Sequence, residues 1–140
     1  YINDCQKIII FCRNVKKFKE LFIEFNKYSE KIEIIEVDLK DLNKNLEIIN
    51  TFNQDISGVF WISGFTGNSE NEYENISEAK NNLCINFLNA TIIINELSKK
   101  LIKKQNSFIV AFTSVAGLRG RKKQLFYSAA KSGLISYLSG

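Results

Sequence analysis

Four short runs rich in β-branched and aromatic residues set the limits on this chain: Lys7–Cys12 (KIIIFC), Lys31–Val37 (KIEIIEV), Ser57–Ser63 (SGVFWIS) and Ser107–Thr113 (SFIVAFT). Each reads as a continuous apolar strand, not as a strict alternation, and strands of that kind are covered on both faces of a parallel sheet. Helical segments separate them. Asn14 can cap a helix in which Phe18, Leu21, Phe22 and Phe25 recur on one side. Leu42–Phe52 gives a second, short helix. Gly64 and Gly67 close the third strand, and a polar loop runs on to about Asn75. A long helix follows, from about Glu78 to Lys104, with Ala79, Leu83, Phe87, Ala90, Ile94, Leu97 and Leu101 near one face. A last helix starts near Tyr127 and continues to the end of the chain. Strand and helix in alternation predict an α/β fold, a doubly wound parallel sheet in three layers, α/β/α. Ligands of such sheets sit beyond the carboxyl ends of the strands. Here those ends are Cys12–Arg13, Asp38, Ser63–Gly64 and Ser114.

Composition narrows the chemistry. The 140 residues are one domain by length. Net charge is +4, from 19 basic and 15 acidic side chains, which is too mild to indicate nucleic acid. Three cysteines, Cys5, Cys12 and Cys84, form no C-x-x-C pair and read as free thiols of a reducing compartment. No apolar run is long enough to span a membrane, and no signal peptide is visible. The chain has no histidine, which excludes Ser-His-Asp and Cys-His catalysis within it and most zinc sites. It has no methionine either, opens on Tyr1 and stops inside an apolar-periodic run, so it is expected to be an internal piece of a longer protein.

Proton chemistry must then use Tyr, Lys, Cys or a carboxylate. Tyr127 and Lys131 stand at i and i+4, on one face of the last helix. An ammonium beside a phenol favours the phenolate and makes the hydroxyl a usable acid near neutral pH. Ser114 follows a strand on the ligand side of the sheet and can hold the same reacting oxygen. The set suits interconversion of a carbonyl and an alcohol, with the hydride supplied by a cofactor. Tyr-x-x-x-Lys by itself is a weak signal, since a helix often carries such a pair on its surface.

In context the signal is specific. Ser114, Tyr127 thirteen residues later and Lys131, after the strand FIVAFT, resemble the active site of the short-chain dehydrogenase/reductase family. The segment CINFLNA places Asn86 where that family has an Asn in its long helix, with Asn89 where Gly is usual. The resemblance covers essentially the whole chain. It implies a Rossmann-like sheet and a single NAD(P)-binding domain over 1–140, lacking the first strand and the last strands. It implies that Tyr127 is the general acid, that Lys131 tunes it and binds the nicotinamide ribose, that Ser114 orients the substrate oxygen, and that Asn86 holds a relay water. Asp38 and Leu39 would meet adenine, and Ser63 and Gly64 would meet the cofactor mainly through backbone, because WISG (Trp61–Gly64) stands where the family has NNAG. The family's Gly-rich phosphate turn is absent, so the piece alone is expected to bind cofactor poorly. Cys12 and Arg13 occupy the place of the acidic residue that selects NAD. A guanidinium suits a 2′-phosphate, so NADP(H) is favoured, with NAD(H) left open. The resemblance also implies a homodimer or homotetramer, and a cytoplasmic enzyme or one peripheral to the membrane.

Between Ser114 and Tyr127 the stretch GLRGRKK carries four positive charges within Arg119 to Lys123. They form a solvated loop or recognise an anionic group on the substrate, for which Arg119 and Arg121 are apt. The wording SVAGLRGR…YSAAKSGL, with SGFTGNSE, is most similar to one subgroup: the reductase partner of the decaprenylphosphoryl-ribose 2-epimerase pair and related cell-envelope sugar reductases. That implies a ketone on a lipid-linked phosphosugar and a flavin oxidase as partner. Two readings compete: a 3-oxoacyl-thioester reductase of lipid synthesis, and a non-catalytic NAD(P)-binding module. Nucleic-acid binding has only the basic loop in its favour.

Overall fold

A computed structural model describes residues 4–67 and 74–140, without the side chains of Phe25 and Asn26. Residues 68–73, within the expected polar loop and partly within the stretch SGFTGNSE, lie outside the described residues. Contacts gather into two units, Tyr1–Leu39 and Lys40–Gly140.

The first unit is a strand, a helical crossover and a parallel strand. β1 (Ile8–Cys12) pairs in parallel with β2 (Ile32–Glu36), Ile8 opposite Ile32 and Cys12 opposite Glu36. Between them, Asn14 accepts a 2.8 Å hydrogen bond from Lys17 N and starts α1 (Val15–Leu21). The expected helix through Phe25 is shorter than its apolar stripe. It ends at Leu21, and the chain tightens into a 3₁₀ segment, Ile23–Tyr28, as helix C-termini often do. Leu21 and Phe22 are exposed, and Phe22 stacks on Phe18 with centroids 4.7 Å apart.

In the second unit, Asp41 caps α2 (Leu42–Thr51) through Lys44 N. β3 (Gly58–Trp61) then pairs in parallel with β4 (Phe108–Ala111). The four strands thus form two parallel pairs, and among the described residues no strand pairing joins them. One face of β3–β4, with Trp61 and Ile109, turns to the helices. The other presents Phe60, Ile62, Phe108, Val110 and Phe112, all exposed.

The long helix is α3 (Ile76–Leu83), a π turn (Cys84–Leu88) and α4 (Asn89–Leu101), with αR backbone at the junctions. A 3.6-residue periodicity cannot show a π turn. Leu83 and Phe87 of the expected stripe are exposed while Asn82, Asn86 and Asn89 are buried, so the buried face is offset by one residue from the expected one over this stretch. Ala90, Ile94 and Leu101 are buried as the pattern required. A short helix, α5 (Val115–Leu118), follows β4, and α6 runs from Leu125 to Ser139. Leu134 and Ala130 of α6 and Ile93 of α4 complete the core of this unit. Burial of a side chain such as Leu134 stabilises by about 1.5–3 kcal/mol.

Candidate active site

Ser114 is placed by the end of β4. Phe112 N donates to Trp61 O at 2.8 Å, extending the ladder by one bond. Two residues on, Ser114 turns into an extended N-cap, and its Oγ accepts from Ala116 N at 3.2 Å. The helix so begun lies hard against α6. At Gly117 a β-carbon would stand 2.8 Å from the carbonyl carbon of Lys131 and 2.8 Å from Ile135 Cδ1. Glycine is therefore what lets the Ser114 turn reach the Lys131 backbone. Gly117→Ala in the full-length protein should lower unfolding stability by about 1–3 kcal/mol in urea titration. Gly120→Ala, with nothing within 4 Å of the new atom, is the matched control.

Lys131 is buried, and its Nζ donates to the Phe112 carbonyl at 3.2 Å, tying α6 to the end of β4. The same Nζ stands 5.9 Å from the centroid of the Tyr127 ring, as i, i+4 spacing on α6 requires. Burial pushes the Lys131 ammonium below its ordinary pKa. Tyr127 is half-buried.

Asn86 sits in the π turn. Its carboxamide grips Phe65 from both sides: Nδ2 donates to Phe65 O at 2.6 Å, and Phe65 N donates to Oδ1 at 2.9 Å. Nδ2 also faces Asn82 O at 3.1 Å and Asn82 Oδ1 at 3.0 Å. The side-chain donors are thus engaged, and a water near Asn86 would have to use the remaining lone pair of Oδ1 or a backbone carbonyl. Gly64 precedes the gripped residue. A β-carbon there would lie 3.4 Å from Asn86 Oδ1 and 3.5 Å from Lys131 Nζ. Backbone alone therefore comes up to the lysine at Gly64. Ser63 is exposed beside it.

Arg119 and Arg121 are exposed and share a turn pinned at three points. Arg119 N donates to Val115 O at 3.0 Å, Arg121 N to the buried Ser128 Oγ at 3.1 Å, and Gln124 N to Arg121 O at 2.9 Å. With Val115 and Gly120 the two arginines line a shallow hollow. No acidic residue occurs after Glu96 in the sequence.

Within the first unit, Val37 N donates to Cys12 O at 2.9 Å, which sets Arg13 and Asp38 just beyond adjacent strand ends. Arg13 and Asp38 are exposed and Leu39 is half-buried. Burial raises the pKa of the Cys12 thiol, and the Glu36 charge adds to this. The three cysteines are unpaired. Among the described residues no cluster of His, Cys, Asp or Glu could hold a metal, and no helix is long and apolar enough to cross a membrane.

The second unit thus brings Asn86, Gly64, Lys131, Tyr127 and the Ser114 turn together. Sequence reasoning missed Asn82, Phe65, Gly117 and Ser128. Of these, only Asn82 left a trace, as a second asparagine four residues before Asn86.

A parallel α/β unit with a Ser turn, a Tyr-x-x-x-Lys helix and an Asn in a π turn defines a dehydrogenase-type nucleotide fold. The chain belongs to the short chain dehydrogenase family, whose match spans residues 2–140. It is similar to the 3-oxoacyl-[acyl-carrier-protein] reductase FabG of Buchnera aphidicola subsp. Schizaphis graminum, 32% identical over 104 residues, or 72% of this chain and 43% of that protein. Among solved structures it resembles ElxO with NADP bound, at TM-score 0.78 and 22% identity over 96% of this chain and 55% of that one. Levodione reductase aligns at TM-score 0.78 and 18% identity over 93% and 53%. A carbonyl reductase from Pseudomonas aeruginosa PAO1 aligns at TM-score 0.78 and 14% identity over 98% and 64%. The chain spans about half the length of these relatives. They support the family and the fold. The narrower likeness to envelope-sugar reductases finds no support in them, and the curated relative is a ketoacyl reductase.

Proposed function

We propose that the chain carries the proton-transfer half of an NAD(P)H-dependent ketone reductase. The observation that carries this reading is the convergence of Gly64, Asn86 and the buried Lys131 one helical turn from Tyr127. A reduced nicotinamide supplies the hydride that no side chain can give. Tyr127 Oη gives its proton to the substrate oxygen as the carbonyl carbon becomes an alcohol carbon. Ser114 holds that oxygen, and the Lys131 ammonium stabilises the phenolate left on Tyr127 until it regains a proton from water. Gly64 and Ser63 offer backbone to the cofactor because no side chain stands between Gly64 and Lys131. In the first unit, Arg13, Asp38 and Leu39 stand at or just beyond strand ends, where the family resemblance assigns adenosine contacts. Arg13 favours the 2′-phosphate of NADP(H). The intact set of Ser114, Tyr127, Lys131 and Asn86 speaks against a non-catalytic module.

For the substrate, the ketoacyl relative favours a 3-oxoacyl thioester. The pinned arginine turn favours a phosphate-bearing substrate, whether a phosphosugar or a phosphorylated thioester carrier. NADPH oxidation by the full-length protein, with acetoacetyl-CoA, its unphosphorylated N-acetylcysteamine analogue and a phosphorylated ketosugar, separates these. Arg121→Ala should raise KM about tenfold for phosphorylated substrates, the worth of a charged hydrogen bond, and leave the neutral one unchanged. Equal loss on both would remove the phosphate from the reading. Exposed Phe87, Leu88, Tyr137 and Leu138 on the long helix and α6 support pairing of two copies there as part of the same reading.

A further inference from the structure

The carboxamide of Asn82 is fully buried, at 0% exposure, one turn before Asn86. Its Oδ1 lies 3.0 Å from Asn86 Nδ2. Its own Nδ2 is buried without a hydrogen-bond partner among the described residues. A buried amide donor left unmet is destabilising, so stability alone favours an apolar residue of this size here. The oxygen is the part of the side chain in use.

An amide such as Asn86 can be flipped, exchanging its oxygen and nitrogen. Its grip on Phe65 needs one orientation only: nitrogen toward Phe65 O, oxygen toward Phe65 N. Asn82 Oδ1 and the Asn82 carbonyl both face the nitrogen. A flipped amide would set its oxygen against three oxygens, these two and Phe65 O. The loop held in this way packs along the same helix one turn further back. Gly67 adopts φ +70, and a β-carbon there would lie 2.9 Å from Asn82 Nδ2 and closer still to Glu78 Oε1. Asn82 therefore meets the loop at Gly67 and, through Asn86, at Phe65, with Gly64 beside Lys131 at the loop's start.

We infer that Asn82 is a positioning residue, whose carboxamide oxygen fixes the orientation of Asn86 and so holds the Gly64–Gly67 loop against Lys131. This rests on the ketone-reductase reading above. It predicts a split that packing alone does not give. Asn82→Leu in the full-length enzyme removes the oxygen and the unmet donor together. It should lower kcat for NADPH-dependent ketone reduction three- to tenfold, with Tm at or above that of the parent. Asn82→Asp keeps an acceptor in place and should hold kcat within twofold. The inference is overturned if Asn82→Leu keeps kcat within twofold, or if kcat and Tm fall together in both variants, as simple packing requires. Tyr127→Phe distinguishes its failure from that of the underlying reading. If that variant is inactive and Asn82→Leu is not, only the role of Asn82 falls; if that variant stays active, the reading of the site falls first.

Discussion

Tyr127→Phe in the full-length enzyme should lower kcat for carbonyl reduction by about 10²–10⁴-fold, the range a positioned acid contributes. The change removes one oxygen and leaves the ring, so the contact with Lys131, with Nζ 5.9 Å from the ring centroid, keeps its geometry. Because the ring is half-buried and retained, thermal unfolding should shift by no more than a few degrees. Affinity for the reduced cofactor, read by fluorescence titration, should change less than threefold. The contrast between a collapsed kcat and intact folding and binding is what identifies a proton donor. A variant reducing the ketone within tenfold of the parental rate would assign the proton to another group, and Ser114 would be the next to test.

Most of the fold could be read from the sequence because its period is simple. The four strands lie within the expected runs, trimmed by a residue or two where the ladder hands over to loops. Asn14 caps α1 through its side chain as expected, and Asp41, not singled out in the sequence, caps α2 in the same way. What escaped was phase and tertiary contact. The π turn over Cys84–Leu88 leaves no mark on composition, and the buried face runs through Asn82 and Asn86, not through Leu83 and Phe87. The four-residue helix Val115–Leu118 escaped as well, because its reason is the Gly117 contact with α6, not propensity. Of the candidate site, Tyr127, Lys131 and Ser114 stood out by spacing and element order, and Asn86 through the family resemblance. Phe65 did not, since it contributes only backbone, and backbone partners have no residue signature.

Lys131→Met should abolish ketone reduction, with a loss of 100-fold or more, and should also change the pH dependence of stability in a defined direction. Burial lowers the pKa of Lys131 from its ordinary 10.5. Between that lowered value and 10.5 the unfolded chain binds a proton on this side chain that the folded chain has released. Stability then rises with pH across the window. Below the window both states are protonated, and the full penalty of burying the ammonium applies. Methionine carries no such penalty. The stability of the variant relative to the parent should therefore be most favourable below the window and fall within it as pH rises toward 10.5. Urea unfolding of both proteins at pH 7, 9 and 10 measures it, since groups common to the two cancel in the difference. A relative stability that stayed flat up to pH 10.5 would mean that the ammonium is not desolvated by the fold. The hydrogen bond to the Phe112 carbonyl, 3.2 Å long, is lost in the variant at every pH up to the window and so shifts the level of the curve, not its slope. In the proposed reading, a charged lysine at a buried position where an uncharged side chain would fold more readily supplies the charge beside Tyr127.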